Sequence, residues 1–256
     1  MVKQEVLAAL DAVRGRYISG QELAAQLGVS RTAVWKAVAA LRRDGIPIKA
    51  VTNRGYTLAQ SVDVLNAAAV TVQLDETTVK ALQIEVVDRL PGTNAALRSR
   101  ADAGAREGLV LIAQAQSAGR GRGGHSFYSP PGGLYMSILL RPEIGARQAV
   151  GLTAMAAVAA ARAAERLCGV PITIKWVNDL WKNGKKVCGI LTEMSTELEC
   201  INYIVTGIGI NVANHEFPEE IRDVATSLYL ETGKEVRRSQ LIAAIMRAYE
   251  GYYDKF

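Results

Sequence analysis

Cysteine and histidine are scarce in this chain. Its 256 residues include three cysteines, Cys168, Cys188 and Cys200, and two histidines. The cysteines are odd in number and form neither a C-x-x-C pair nor a cluster with histidine, so the sequence predicts no disulfide framework and no metal site. We therefore expect a reduced, cytoplasmic protein.

Long apolar runs are also missing. The longest uncharged run of apolar character extends from Ala149 to Ala161 and ends at Arg162, which is shorter than the roughly 20 residues needed to span a bilayer. Residues 1–13 carry Glu5 and Asp11 and lack the basic start and apolar stretch of a signal peptide. We expect neither export nor membrane association.

The composition that remains is typical of a globular protein with an uneven charge. Hydrophobic residues make up 49% of the chain, which is enough to build the core of one or two domains and excludes disorder. The net charge is +5, and all of this surplus lies in the first 60 residues. This asymmetry predicts a small polyanion-binding module, residues 1–62, attached to a neutral body, residues 67–256.

The basic module has the pattern of a winged helix-turn-helix. Apolar residues from Val2 to Val13 recur at helical spacing, and Ser19 with Glu22 forms a capping-box start for a helix over residues 20–27. A Gly28 turn leads to a third helix capped by Ser30. The alternating residues 46–58 then predict a β-hairpin wing.

In such a module the third helix enters the major groove of DNA and the wing contacts the backbone or the minor groove. The predicted DNA-binding residues are Arg31, Thr32 and Lys36 on the helix and Lys49 and Arg54 on the wing. We expect Trp35 to lie in the core. The alternative is a winged helix that binds another protein, because a fold does not specify its function.

The large domain mixes strands and helices without an internal repeat. We predict helices near 94–103, 147–167 and 239–253, and strands at 84–90, 109–114, 134–140, 172–176, 186–193 and 203–211. Hairpin signals such as Asn183-Gly184 indicate a mixed sheet rather than a regular βαβ succession.

A glycine-rich segment, Gly119-Arg120-Gly121-Arg122-Gly123-Gly124, matches G-x-G-x-x-G. A dinucleotide fold needs a helix to open there, and the prolines and glycines at 130–133 forbid one. The segment is instead suited to folding over an anion, with backbone N–H groups and two guanidinium groups as donors. A disordered basic surface loop is the alternative.

A second cluster of polar residues lies at 175–191. If Asn183-Gly184 is a two-residue turn, Trp181 pairs with Lys186 and Asp179 pairs with Cys188. Asp179 and Lys186 then lie diagonally on one face, with about 7–8 Å between their backbones and room for a substrate between acid and cation. A solvated hairpin with a charge pair is the alternative.

Together these motifs resemble the bifunctional biotin-protein ligases that also repress biotin operons. The resemblance rests on Ser30 to Lys36, the loop 119–124, the stretch 175–179 with Lys186 and 189–191, and residues 207–212. It implies an α+β fold, in which the winged helix is followed by a seven-stranded mixed sheet with helices, related to class II aminoacyl-tRNA synthetases and lipoate ligases.

The resemblance also implies roles for individual residues. The biotin pocket would comprise Gly92, Thr93, Asn94, Gln116, Arg120, Gly121, Arg122 and Lys186. Nucleotide-binding residues would be Lys175, Asn178 and Asn211 together with Arg122 and Lys186. The catalytic set would be Arg120, Arg122, Asp179 and Lys186, with Asp179 positioning the incoming lysine amine. The cations suit this chemistry, because a carboxylate and the α-phosphate of ATP repel each other until they are neutralised.

Three features depart from the family pattern. Gly92 replaces a serine, Phe127 replaces a tryptophan found in many members, and the sequence stops at Phe256 without the usual small C-terminal β-barrel.

We expect an ATP-dependent biotin-protein ligase that doubles as a biotin-responsive repressor. The implied ligands are biotin, ATP and Mg²⁺, and the implied partners are a biotin carrier domain, operator DNA and a second copy of the chain when biotinyl-5′-AMP is bound. The alternatives are a biotin sensor that only regulates transcription and a lipoate-type ligase.

Overall fold

The structure is a computed structural model that describes residues 2–44, 46–59, 63–197 and 200–253. The chain forms two compact units, Met1–Gln73 and Leu74–Phe256. The boundary between them therefore lies after the predicted end of the basic module at residue 62. Within the described residues, no helix is both long and apolar enough to cross a membrane.

The first unit is a winged helix-turn-helix. Its elements are α1 (Val2–Ala12), α2 (Gly20–Leu27), α3 (Arg31–Arg43), β1 (Ile48–Val51), β2 (Gly55–Leu58) and α4 (Ala67–Thr71). The predicted capping box is present, since the Ser19 side chain accepts from the Glu22 N–H and the Glu22 carboxylate accepts from the Ser19 N–H. Gly28 ends α2 in the left-handed conformation, with φ at 64°.

The core of this unit extends beyond the helix-turn-helix itself. Val64 and Ala69 pack with the buried residues of α1 and α3, among them Leu10 and Leu41. Residues 63–71 therefore belong structurally to the first unit, and for this reason its end lies at Gln73.

The second unit contains a seven-stranded mixed sheet. Its elements are α5 (Glu76–Ala81), β3 (Gln83–Leu90), α6 (Thr93–Asp102), β4 (Leu109–Gln116), β5 (Leu134–Leu140), α7 (Ala146–Cys168), β6 (Thr173–Lys175), β7 (Asp179–Lys182), β8 (Lys185–Glu197), β9 (Cys200–Ile210), α8 (Leu228–Thr232) and α9 (Arg238–Tyr253). The strand order is β3-β4-β5-β9-β8-β7-β6, with only β3 and β4 parallel. The predicted mixed sheet is confirmed.

The two faces of this sheet are covered differently. Helix α7 packs against one face, which carries buried apolar side chains such as Ile138 and Ile208, and α9 packs against α7. On the other face, α6 buries Leu97 and Ala101 against Leu139 and Val205. Because side chains alternate along a strand, residues 207 and 209 of β9 continue this second face beyond the start of α6.

The hairpin between β7 and β8 differs from its predicted register. Asn183 and Gly184 both have positive φ, at 48° and 79°, as a type I′ turn requires, and Trp181 pairs with Lys186. The predicted pairing of Asp179 with Cys188 is wrong, because Asp179 faces Gly189 and Cys188 faces Leu180.

The cause is an irregularity that inserts one extra residue into β8. The Lys186 N–H donates to the Val224 carbonyl and the Lys186 carbonyl accepts from the Thr226 N–H, so this stretch of β8 bonds to another segment. A bulge of this kind shifts the residues beyond it to the opposite face. Cys188 is consequently buried in the core, and burial raises the pKa of its thiol.

Candidate functional site

A cavity of about 190 Å³ opens on the sheet face beside the N-terminus of α6. Its floor is formed by glycines, since Gly189 of β8 pairs with Gly209 of β9, and Gly207 follows on the same face. A Cβ atom added to Gly207 would lie 2.0 Å from the Asn94 Oδ1 atom, and one added to Gly209 would lie 2.7 Å from the Phe127 ring. The cavity exists because these positions carry no side chain.

One end of the cavity is a hydrogen-bonded network at the start of α6. The first residue of the helix, Thr93, donates its N–H to the Gln116 Oε1 atom over 2.8 Å. The N-cap residue Gly92 makes no side-chain cap, and Gln116 of β4 satisfies one helix donor that would otherwise lack a partner. The Gln116 Nε2 atom donates to the Ser129 hydroxyl, and the Thr93 and Ser137 hydroxyl oxygens lie 2.7 Å apart, within hydrogen-bond distance.

Asn94 is held by bonds at both ends of its side-chain amide. Its Oδ1 atom accepts from the Ser137 hydroxyl over 2.6 Å, and its Nδ2 atom donates to the Leu191 carbonyl and to the Glu193 carboxylate. Arg98 donates to the same carboxylate over 2.7 Å. A hydrogen bond with the Tyr203 side chain is the main interaction that raises the pKa of Arg98, and the negative charge of Glu193 raises this pKa further. Asn94 therefore serves as a rigid wall of the cavity.

Ser137, Arg98 and Glu193 line or support this wall, and the sequence reasoning missed all three. Arg98 follows Asn94 by four residues on one helix, a spacing that places both on one face. Glu193 alternates with Gly189 and Leu191 along β8. These spacings were available from the sequence, whereas Ser137 offered no signal.

The other end of the cavity is cationic. Arg120, Gly121, Arg122 and Lys186 line it, as predicted for a single site. The glycine-rich loop folds back on itself, because the Phe127 N–H donates to the Gly119 carbonyl and the Gly121 N–H donates to the His125 carbonyl. It contains one 3-10 turn, Arg122–Gly124, and no α-helix, which agrees with the prediction that this segment does not open a dinucleotide-binding helix.

Lys186 forms an ion pair with Asp179. The Nζ atom lies 2.7 Å from Asp179 Oδ1 and 5.9 Å from the centre of the Phe127 ring. The two residues thus lie on one face of the hairpin as predicted, but their side chains are in direct contact, without the predicted room for a substrate between them. Phe127 rests on Gly189 and Gly209, so the aromatic ring covers the middle of the glycine floor.

The residues predicted for the nucleotide side are more dispersed. Asn178 lines the cavity and donates its Nδ2 hydrogen to the Ile190 carbonyl. Lys175 instead places its Nζ atom 4.2 Å from the centre of the Trp181 ring, outside the described cavity lining. Asn211 is buried and donates to the Thr226 carbonyl, so its side chain orders the segment that holds Lys186.

The first unit carries a separate candidate interface. Arg31, Thr32 and Lys36 are exposed on α3, and Lys49 is exposed on β1. Arg54 is exposed at the tip of the wing, where its guanidinium lies 4.4 Å from the centre of the Tyr17 ring. A nucleic-acid interface requires cations that are exposed on the surface facing the duplex. The exposure of these residues meets that requirement.

Trp35 does not lie in the core as expected. It is 61% exposed, while Val34, Ala37, Val38 and Leu41 form the buried stripe of α3. One step along an α-helix turns a side chain by about 100°, and this rotation carries Trp35 from the edge of the stripe to the exposed side.

Comparison with known proteins agrees with this two-part organisation. The model of the biotin/lipoate A/B protein ligase family matches residues 86–211, and a helix-turn-helix domain model matches residues 3–57. The bifunctional ligase/repressor BirA of Bacillus subtilis is 36% identical over 255 residues, which cover 98% of this chain and 78% of the relative. The chain belongs to the bifunctional ligase/repressor family.

More distant members and a solved structure support the assignment. BirA of Escherichia coli is 33% identical over 234 residues, covering 91% of this chain and 71% of the relative. The biotin protein ligase of Aquifex aeolicus, solved with biotin and ATP, is 33% identical and superposes with a TM-score of 0.60 over 68% of this chain and 71% of that one. The predicted family and fold class of this chain are therefore confirmed.

Proposed function

We propose that this chain is an ATP-dependent biotin-protein ligase and a biotin-responsive transcriptional repressor. The observation that carries the proposal is a single cavity with a hydroxyl and amide end at Thr93 and Gln116 and a cationic end at Arg120, Arg122 and Lys186. Biotin has the complementary polarity, with a polar ureido ring at one end and a carboxylate at the other.

The amide end would bind the ureido ring. The Thr93 hydroxyl and the Gln116 carboxamide supply donors and acceptors, and Gly92 adds backbone groups in place of a serine hydroxyl. Asn94 shapes the wall beside them. Because these hydrogen bonds hold the polar side chains in place, little reorganisation is needed on binding.

The cationic end would serve the first chemical step. A biotin carboxylate oxygen attacks the α-phosphorus of ATP, the bond to the β-phosphate oxygen breaks, and biotinyl-5′-AMP and pyrophosphate form. Arg120, Arg122 and Lys186 lower the repulsion between the two anions and stabilise the charge that develops at phosphorus. Phe127 and Asn178 line the same cavity, and we assign Lys175 and Asn211 to supporting roles on the nucleotide side.

Mg²⁺ would accompany the triphosphate and neutralise part of its charge. Within the described part of the chain, no group of three or more histidine, cysteine or acidic side chains is placed to hold a metal. The nearby acids are each paired with a cation, Asp179 with Lys186 and Glu193 with Arg98. This donor set fits an ion that is held mainly by phosphate oxygens.

Asp179 would serve the second step, in which a lysine amine of a biotin carrier domain attacks the acyl carbon of the adenylate. The carbon–oxygen bond to AMP breaks, the amine loses a proton to solvent, and an amide and AMP result. Asp179 is placed beside Lys186, where its carboxylate can orient the incoming amine. The carrier would be that of a cytoplasmic biotin-dependent enzyme such as acetyl-CoA carboxylase.

The first unit would bind operator DNA. Arg31, Thr32 and Lys36 present a polar, cationic surface on α3, with Lys49 and Arg54 on the wing. One recognition helix and one wing cover a single half-site, so specificity requires two copies on an inverted repeat. Adenylate-dependent pairing of two chains would couple DNA occupancy to biotin supply.

The test is incubation of the chain with biotin, MgATP and a biotin carrier domain, followed by mass spectrometry of the carrier. We expect a biotinylated lysine, and no product from a carrier whose target lysine is replaced by arginine. Transfer of lipoate in preference to biotin would establish the lipoate-type alternative. Adenylate formation or biotin binding without any transfer to the carrier would instead support the alternative of a biotin sensor that only regulates transcription.

A further inference from the structure

Trp35, the exposed tryptophan of α3, has no role in the function proposed above. Trp35 is 61% exposed and lies outside the hydrophobic cluster of the first unit. An isolated exposed hydrophobic residue is common on protein surfaces and needs no explanation by itself. What distinguishes Trp35 is the set of residues around it.

Trp35 shares the exposed surface of α3 with the predicted DNA contacts. Arg31 and Thr32 precede it by four and three residues, which makes them its neighbours on the helix surface, and Lys36 follows it directly. All three are exposed. No acidic residue occurs anywhere in α3, from Arg31 to Arg43, so the surface around the indole ring is cationic and complementary to a polyanion.

A duplex offers few apolar partners to a side chain in this position. In the major groove, base edges present hydrogen-bond donors and acceptors, and the apolar group among them is the C5-methyl group of thymine. Stacking of the indole on a base would require an unpaired nucleotide, as in single-stranded complexes. We propose that Trp35 recognises thymine through its methyl group and thereby determines part of the operator sequence; this inference rests on the DNA binding proposed above.

The expected contribution can be estimated from the burial of one methyl group. Removing one methyl group from an apolar contact loses binding free energy that corresponds to about a fourfold loss of affinity. A neutral side chain displaces no counterions from DNA, so replacement of Trp35 should leave the salt dependence of binding unchanged. Replacement of Arg31 or Lys36 should instead reduce the slope of log affinity against log salt by about 0.9 for each phosphate that is no longer neutralised.

The experiment uses the full chain with biotin and MgATP. An inverted-repeat duplex is first selected from a random library, and each thymine of one half-site is then replaced in turn by deoxyuridine, which lacks only the methyl group. We expect at least one replacement to weaken binding by about fourfold. Trp35→Ala should bind the thymine and deoxyuridine duplexes equally with an unchanged salt slope, while Trp35→Phe should retain part of the discrimination.

Trp176, which is 80% exposed in the second unit, provides a matched control. Trp176→Ala should discriminate thymine from deoxyuridine as the parent chain does. Equal discrimination by Trp35→Ala and the parent, or no thymine whose methyl matters to the parent, would overturn the inference. A Trp35→Ala chain that fails to dimerise without DNA would assign the residue to a protein interface instead.

Failure of the underlying proposal would look different. If the parent chain enriches no sequence from the library, the repressor function itself is wrong. If it enriches a sequence and tolerates every deoxyuridine, DNA binding stands and only the proposed role of Trp35 is wrong.

Discussion

At the scale of single residues, Lys186 carries the most demanding role. Its ammonium group lies 2.7 Å from the Asp179 carboxylate and within reach of the cavity. The ion pair holds the Lys186 side chain in place. Because both partners are partly exposed, the pair itself contributes little to stability, and its value lies in placing a cation where two anions must meet.

We predict that Lys186→Ala reduces adenylate formation by about 100-fold or more, which is typical for the loss of one group that stabilises transition-state charge. The melting temperature should change little. The measurement is pyrophosphate release with biotin and MgATP. The neighbouring Lys185 donates to the Arg222 carbonyl away from the cavity, so Lys185→Ala is the matched control. Release by Lys186→Ala within a few-fold of the parent would contradict the assignment.

A second prediction at this scale concerns the glycine floor. Gly207→Ala would bring a methyl group within 2.0 Å of the Asn94 Oδ1 atom, displacing Asn94 from Ser137 and Glu193. We expect loss of measurable biotin binding by calorimetry and destabilisation of about 1–3 kcal/mol from overpacking.

Gly251→Ala is the control for this substitution, because beyond the backbone of α9 and the adjoining residues no described atom lies within 4 Å of a Cβ at that position. It should bind biotin normally. If Gly207→Ala binds biotin as tightly as Gly251→Ala does, the floor of the cavity does not define the biotin site.

At the scale of elements, the glycine-rich loop places two arginines over the cavity. Backbone hydrogen bonds at Gly119 and Gly121 close the loop on residues 125–127, while Arg120 and Arg122 are exposed and form no ion pair within the described residues. A loop of this kind can close on an anionic ligand, because its cations are not engaged elsewhere.

We predict that Arg122→Gly speeds the release of biotinyl-5′-AMP by about 10- to 100-fold, the range expected for loss of a hydrogen bond to a charged group. Adenylate retention on the chain can be followed by rapid gel filtration. Arg106→Gly, in the exposed turn after α6, is the control for an added glycine and a removed charge. An unchanged adenylate half-life in Arg122→Gly would show that the loop does not retain the ligand.

At the scale of the whole molecule, the net charge is distributed unevenly between the two units. The first 60 residues carry a net charge of +5 and the remainder carries none. Polyanion binding should therefore reside in the first unit, and adenylate chemistry in the second. The link between them would be the differential affinity of the adenylate for the paired state of two chains.

We predict that operator binding falls steeply with salt, with a slope of about −0.9 for each phosphate neutralised, and that biotin with MgATP strengthens it. Gel-shift titration of an inverted-repeat duplex measures both effects. Arg31→Ala should weaken binding. Affinity that is independent of biotin and MgATP, or an Arg31→Ala chain that binds as the parent does, would remove the regulatory function while leaving the ligase intact.

Features that depend on neighbouring residues could be predicted from the sequence. The Ser19 capping box, the Gly28 helix end, the Asn183-Gly184 turn and the absence of a helix after Gly124 all follow from side chains within a few positions of one another. Arg120, Arg122 and Lys186, which the resemblance assigned to one site, also line a single cavity in the structure.

Features that depend on contacts between distant segments required the tertiary structure. Gln116 completes the N-terminus of α6, Glu193 and Ser137 hold Asn94, and segment 224–226 shifts the register of Asp179 by bonding to Lys186. No local spacing encodes these contacts, because their partners come from different strands and loops. Trp35 shows the same limit, since burial is decided by what packs against a helix and not by the hydrophobicity of one residue.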